Sequence, residues 1–128
     1  MDIEQEIIKA GANSAPRVTP EDIEASIVRE NYFTAADGAF GSIFACGNPR
    51  LPVNEVEFGD QVNAIPGVLH LLTFCVLTLR NGFTVTGESA CVSLENFNEE
   101  IGRKVARNNA IQKMWPLLGY ALKEQLAS

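Results

Sequence analysis

The sequence has little of what metal sites and disulfide frameworks require. It contains one histidine and three cysteines, and no two cysteines form a Cys-x-x-Cys pair. This composition predicts neither a bound metal nor a disulfide scaffold. Cys46, Cys75 and Cys91 are expected to be buried thiols in a reducing compartment. His70 falls in an apolar segment predicted to be a strand, where a structural role is favoured over that of a catalytic base.

The motifs of common enzymes are also missing. No serine lies in a Gly-x-Ser-x-Gly setting, and the segment GAFGS lacks the Gly-Lys-Ser/Thr ending of a phosphate loop. Asp60, Glu88 and Glu99 show no paired spacing that would single them out for general acid–base catalysis. We therefore expect that the protein is not an enzyme and that it needs no cofactor.

Charge and hydropathy argue against two further classes of protein, those that bind duplex DNA and those that span a membrane. The net charge of −6 disfavours nonspecific binding to duplex DNA, which requires that lysines and arginines neutralise phosphates. The longest apolar stretch, IPGVLHLLTFCVLTL, is too short and too interrupted to cross a bilayer. The first residues, MDIEQEIIKAG, lack the basic region and apolar run of a secretory signal. We expect a cytoplasmic protein with neither a membrane nor duplex DNA as a partner.

The pattern of the chain predicts one α+β domain. A length of 128 residues is typical of a single domain. Residues 1–18 are predicted to be an N-terminal helix and linker, with the helix over residues 2–10, and residues 19–128 to be the core. The expected architecture is a central antiparallel β-sheet with the N-terminal helix and kinked C-terminal helices, in an oligomer. Residues 31–66 are turn-rich and are predicted to be largely loop or irregular hairpin.

A second helix is predicted from its capping residues. Thr19 is a suitable N-cap and Pro20 suits the first helical position. Ile23 and Ile27 are one helical turn apart, which predicts an apolar stripe on this helix.

The centre of the chain has the pattern of a β-hairpin. Residues 71–79 are apolar on both faces, which predicts a central strand that is covered on both sides. The Asn-Gly dipeptide at residues 81–82 is typical of a two-residue type I′ turn. Such a turn would place Thr78 opposite Val85. Gly87 is expected to mark a bulge or a close approach of another backbone.

The C-terminal segment is predicted to be helical over residues 98–127. Either Asn96 or Asn98 is suited to cap its N-terminus. Pro116 is expected to kink or break the helix, because proline lacks the amide N–H and clashes with the preceding turn.

The basic residues of this segment have two interpretations. Arg103 and Arg107 are four apart and therefore lie on one helical face. Glu99 and Glu100 are four residues before Arg103 and Lys104, which favours ordinary intrahelical ion pairs. The alternative is that the arginines bind an external anion such as a phosphate. Arg107 is the better candidate for the anion, because no acid lies three or four residues from it.

Two other residues also have two interpretations, and a third has one. Phe83 follows the predicted turn and either anchors the sheet edge or offers a platform for a nucleobase. Asn96 is either a cap or solvated residue, or an amide that contacts a ligand. Arg17, in the segment between two predicted helices, is expected to be a surface charge.

Several motifs occur together in an order that resembles a known family. They are APRVTPEDIE (residues 15–24), YFTAADG (32–38), LTFCVLTLRNGFTVTGESACV (72–92) and NFNEEIGRKVARNNAIQKMWPLLGY (96–120). Over residues 15–126 the chain is similar to a family of small phage and prophage proteins that includes the Thoeris anti-defence proteins.

The resemblance implies a function that the residues alone do not. Such anti-defence proteins act in the cytoplasm of the infected bacterial host, where they sequester a cyclic ADP-ribose-type immune signal without cleaving it. They form dimers, and some form hexamers that also hold cyclic trinucleotides at separate sites. The resemblance implies a ligand site at Phe83, Asn96, Arg103 and Arg107, and a second site at Arg17.

Two other functions stay open at this point. One is a phage structural or interaction protein that binds no small ligand. The other is an enzyme that degrades the signal, which would need a general base that the sequence does not display.

Overall fold

A computed structural model describes residues 2–45 and 62–128 of the chain. The fold is α+β with an antiparallel sheet, as predicted. The elements in chain order are α1 (Ile3–Lys9), α2 (Pro20–Ser26), β1 (Ile27–Thr34), α3 (Ala35–Phe44), β2 (Leu72–Leu79), β3 (Thr84–Ala90) and α4 (Glu99–Ala127). Two expectations, on Cys46 and Asp60, lie outside the described residues, as does the remainder of the segment predicted to be loop.

The predicted helix starts are confirmed, but the second helix is short. Thr19 accepts a hydrogen bond from the Asp22 amide and Pro20 occupies the first turn of α2. The helix ends at Ser26, and Ile27 begins β1 with Leu79 as its cross-strand partner. The expected helical stripe through Ile27 is therefore wrong, because strand pairing decides the conformation of this β-branched residue.

Within the segment predicted to be loop, residues 31–44 form regular structure instead. Strand β1 runs to Thr34, whose side chain accepts a hydrogen bond from the Asp37 amide and caps α3. The Asp37 carboxylate in turn accepts from the Thr34 amide at 2.9 Å. This reciprocal cap repeats the one at α2, and it was the available sequence signal for α3. The glycines of α3 argued against a helix despite this cap, because glycine is a poor helix former.

The sheet has the order β1-β2-β3, so the predicted hairpin and its central strand β2 are confirmed. The predicted register is wrong by one residue. The Leu79 amide donates to the Phe83 carbonyl at 2.8 Å, and Thr78 pairs with Thr84 rather than with Val85. The loop therefore has three residues, and its last residue is a glycine with φ of +87°. A three-residue loop that ends in a left-handed glycine is the next common hairpin after the two-residue type I′ form.

Strand β2 is covered on one face rather than on both. Its residues alternate between buried and half-buried, and the buried set begins with Thr73 and ends with Leu79. The buried face packs under α4, whereas α3 contacts the other face only in part. Alternation of this kind is typical of an antiparallel sheet with one principal layer of helix.

Helix α4 is one continuous helix of 29 residues, so Pro116, which was expected to kink or break the helix, does not break it. The Asn98 side chain accepts a hydrogen bond from the Ile101 amide at 3.0 Å and is the N-cap. A single proline removes one amide donor, and the turns on both sides of it keep the helical path. None of the helices in residues 2–45 and 62–128 is both long and apolar enough to cross a membrane.

Gly87 brings β3 and α4 into close contact, which confirms one of its two predicted roles. A Cβ atom at Gly87 would overlap the Ala106 carbonyl oxygen and the Ala110 amide nitrogen. The register of β2 and β3 is continuous through this residue, so it is not a bulge. The sheet and the helix enclose a core formed by Ile23, Cys75, Leu77, Leu79, Val85, Ala106, Ala110 and Met114.

Candidate functional site

Arg107 lies on α4 beside the edge strand β1 and binds two carboxylates. Its Nε donates to Glu30 Oε1 at 2.8 Å. Its two terminal nitrogens donate to Glu24 Oε1 and Oε2 at 3.0 and 2.7 Å. These bonds tie α4 to α2 and β1. No acid lies three or four residues from Arg107, as the sequence shows, but the fold supplies carboxylate partners 77 and 83 residues away, which local spacing does not reveal.

The electrostatics of this cluster follow from its hydrogen bonds. Donation from Arg107 lowers the pKa of Glu24 and of Glu30, and the pKa of Arg107 is raised in return. The Tyr32 hydroxyl donates to Glu30 at 2.6 Å, and burial is the main cause that raises the pKa of Tyr32. Burial also raises the pKa of the Cys75 thiol. With one cation and two anions, the cluster is saturated and its net charge is negative.

Arg103 and Lys104 form the intrahelical pairs that their spacing predicts. Arg103 binds Glu99 at 2.7 Å and Lys104 binds Glu100 at 3.4 Å. About half of the Arg103 side chain is exposed. Ion pairs on the surface typically contribute about 0–1 kcal/mol, so Arg103 can exchange Glu99 for another anion at little cost.

Arg17 is partly buried and paired, whereas it was expected to be a surface charge. Its guanidinium donates to both carboxylate oxygens of Glu4, at 2.9 and 2.7 Å. The pair attaches α1 to the segment that precedes α2. A bidentate pair has favourable geometry, and an anion that bound Arg17 would have to displace Glu4.

Phe83 and Asn96 are both exposed to solvent. Phe83 lies at the end of the hairpin, and its side chain is 53% exposed. It is absent from the core, which argues against the interpretation that it anchors the sheet edge. Asn96 ends the short 3-10 turn Leu94–Asn96, and the helix cap is Asn98 instead. The amide of Asn96 therefore stays accessible.

One copy of the chain does not gather these residues into one pocket. The β1 edge carries the Arg107 cluster, whereas Asn109 of α4 lies over the opposite edge and donates to the Glu88 carbonyl at 2.7 Å. The N-terminal end of α4 lies near Thr73 at the start of β2, where Gly102 contacts it. Phe83 lies beyond the other end of β2. A strand of this length spans about 20 Å, so Phe83 is far from Asn96 and Arg103.

The histidine and cysteines of the described part of the chain are His70, Cys75 and Cys91. His70 is exposed in the 3-10 turn Gly67–Leu71, not in the strand where it was expected. Cys75 is buried as predicted, whereas Cys91 is half-buried and its thiol donates to a backbone carbonyl at 3.1 Å. Within residues 2–45 and 62–128, no three His, Cys, Asp or Glu side chains group closely enough to hold a metal ion.

The comparison with protein families identifies the relatives of this chain. Residues 18–126 match the model of a family described as phage protein (N4 Gp49/phage Sf6 gene 66). The chain belongs to this phage protein family. Neither the curated proteins nor the solved structures gave a match. The resemblance to small phage proteins is thus confirmed, and the narrower anti-defence activity stays a prediction.

Proposed function

We propose that this phage-family protein binds a cyclic ADP-ribose-type immune nucleotide of the bacterial host and holds it uncleaved. The nucleotide would then fail to reach the host effector in the cytoplasm. The observation that carries the proposal is the exposure of Phe83. A phenylalanine whose side chain is 53% exposed at a hairpin end contributes little to the core and offers its face to an adenine.

The phosphates of such a ligand require a cation that is free to receive them. Arg103 is the better of the two helix arginines, because its pair with Glu99 is exposed and exchangeable. Arg107 is held by Glu24 and Glu30 and orients the surrounding elements instead. Asn96 is exposed just before the N-terminus of α4 and supplies an amide edge for the base or ribose.

The separation of these groups requires more than one copy of the chain. Phe83 is about 20 Å from the end of the sheet that carries Asn96 and Arg103. The proposed pocket is therefore completed by Phe83 of a second copy, in a homodimer or a hexamer. Under the same proposal Arg17 serves a second site for a cyclic trinucleotide, and that ligand must displace Glu4 from it.

A thermal-shift experiment with glycocyclic ADP-ribose tests the proposal. We expect the ligand to raise the Tm of the wild-type protein, and Phe83→Ala and Arg103→Ala to reduce that rise. Arg29→Ala is the matched control, since Arg29 is an exposed arginine on β1 that binds only Asn31 among the described residues. Mass spectrometry of the ligand released by heat should recover it intact. Recovery of a cleaved nucleotide would instead favour the signal-degrading enzyme.

A second candidate is a phage interaction protein that binds no small ligand. The favouring observation is that Arg17, Arg103 and Arg107 each pair with a carboxylate of their own chain. This alternative predicts no thermal shift with any cyclic ADP-ribose isomer, cyclic dinucleotide or cyclic trinucleotide. It also predicts that Arg103→Ala and Arg107→Ala change only stability or assembly.

A further inference from the structure

A groove separates α2, the β2–β3 turn and the C-terminal half of α4. Its larger part encloses about 440 Å³. A volume of this size is within the range of small-molecule sites. The lining residues of this part are Ser26, Leu79, Arg80, Asn81, Leu118 and Ala121. The groove walls are held together where the Arg80 amide donates to the Ser26 carbonyl at 3.0 Å.

Arg80 is the unpaired cation of this groove. In the described part of the chain, its guanidinium has no carboxylate or other side-chain partner, unlike Arg17, Arg103 and Arg107. It lines the larger part and also the smaller, adjoining part of the groove. A guanidinium without a partner beside a concave surface is suited to bind an anion by charge-assisted hydrogen bonds.

The other groups of the larger part complement Arg80. The Asn81 side-chain oxygen accepts from the Phe83 amide at 2.9 Å, which leaves the Asn81 NH₂ group to donate to a ligand. Leu118 and Ala121 form an apolar wall, and the described lining of this part contains no acid. The smaller part differs, because both Asp22 and Arg17 line it. An anion is therefore favoured in the larger part beside Arg80, where the described lining has a cation and no acid.

We propose that this groove binds a small phosphorylated organic molecule, with its phosphate on Arg80 and Asn81 and its apolar part on Leu118 and Ala121. The ligand class follows from the combination of one free guanidinium, one amide donor and an apolar wall. The four residues of this site differ from Phe83, Asn96 and Arg103 of the proposed nucleotide pocket, although Arg17 of the proposed trinucleotide site lines the smaller part of the groove. Phenyl phosphate with Arg80→Gln tests this site, whereas glycocyclic ADP-ribose with Phe83→Ala and Arg103→Ala tests that pocket.

Phenyl phosphate is a suitable probe, because it carries one phosphate and one apolar ring. In ¹H–¹⁵N NMR titrations we expect it to shift the amide signals of Ser26, Asn81 and Ala121. Inorganic phosphate should bind several-fold more weakly, because it lacks the ring. Shifts scattered over other surfaces, or equal affinity for the two probes, would overturn the proposal.

Three variants complete the test. Arg80→Gln removes the charge from an exposed side chain and should weaken phenyl phosphate binding about tenfold or more. Ala121→Glu places an acid on the apolar wall at an exposed helical position and should weaken binding in the same direction. Arg29→Gln is the matched control and should bind as the wild type does. If Arg80→Gln binds like Arg29→Gln, Arg80 is not the anchor and the proposed site is wrong.

Discussion

The two halves of α4 meet the rest of the molecule in different ways. The buried residues of this helix are Gly102, Ala106, Ala110 and Met114, and all four precede Pro116. Three of them are glycine or alanine, so the helix backbone lies directly against the sheet. After the proline, large side chains such as Tyr120 stay exposed, and a groove opens beneath the helix.

The first half of α4 carries a paired arginine, whereas the arginine beside the second half is unpaired within the described part of the chain. In the first half, the partly buried Arg107 makes four hydrogen bonds to Glu24 and Glu30. Beside the second half, Arg80 binds no other side chain of the described residues. The first half therefore uses small residues and paired charges to hold the fold. The second half leaves space and an unpaired charge, which are what a ligand needs.

The greatest loss of stability should come from a side chain placed between β3 and the first half of α4. Gly87→Ala places a methyl group against backbone atoms of Ala106 and Ala110, which have no flexible side chain to move aside. We expect a loss of about 3 kcal/mol in the free energy of unfolding, as overpacking typically causes. Urea denaturation followed by circular dichroism measures it.

Gly119→Ala is the matched control in the second half of α4. A Cβ atom there meets nothing within 4 Å. Alanine is the better helix former, so this variant should be more stable by about 1 kcal/mol. Equal losses from Gly87→Ala and Gly119→Ala would remove the distinction between the two halves.

A smaller loss of stability should come from removing the ion pairs of the first half of α4. Arg107→Met removes the guanidinium and leaves Glu24 and Glu30 close together without a cation. Because the cluster is partly exposed, we expect a loss of about 1–2 kcal/mol in the free energy of unfolding rather than the full value of a buried network. Arg103→Met is the control on the same helical face. Loss of its exposed ion pair should lower the free energy of unfolding by no more than about 0.5 kcal/mol. Similar losses in both variants would contradict a structural role specific to Arg107.

Much of the fold was predictable because its signals are local. The caps at Thr19 and Asn98 and the hairpin each depend on residues a few positions apart. The register of the hairpin was not predictable, because Asn-Gly occurs in both two-residue and three-residue loops and the outcome depends on packing beneath α4.

The candidate site was harder to predict because its contacts are distant in sequence. Arg107 has no acid nearby in its helix, yet the fold supplies Glu24 and Glu30. Arg80 precedes the Asn-Gly turn, and that motif predicts a hairpin but not an unpaired cation. Only the folded chain reveals that Arg107 is paired and that Arg80 is free.

Acid should reduce the contribution that the paired charges of the first half make to stability. The fold lowers the pKa values of Glu24 and Glu30 below their ordinary value of 4.5, chiefly through hydrogen bonds from Arg107. A lowered carboxylate pKa stabilises the fold above the unfolded value, and this contribution is lost as pH falls through the folded value. The difference in unfolding free energy between wild type and Arg107→Met should therefore be full at about pH 7 and shrink below about pH 4.5. Urea denaturation across this range measures it. A difference that persists undiminished in acid would mean that the ion pairs of Arg107 with Glu24 and Glu30 are not what stabilises the fold.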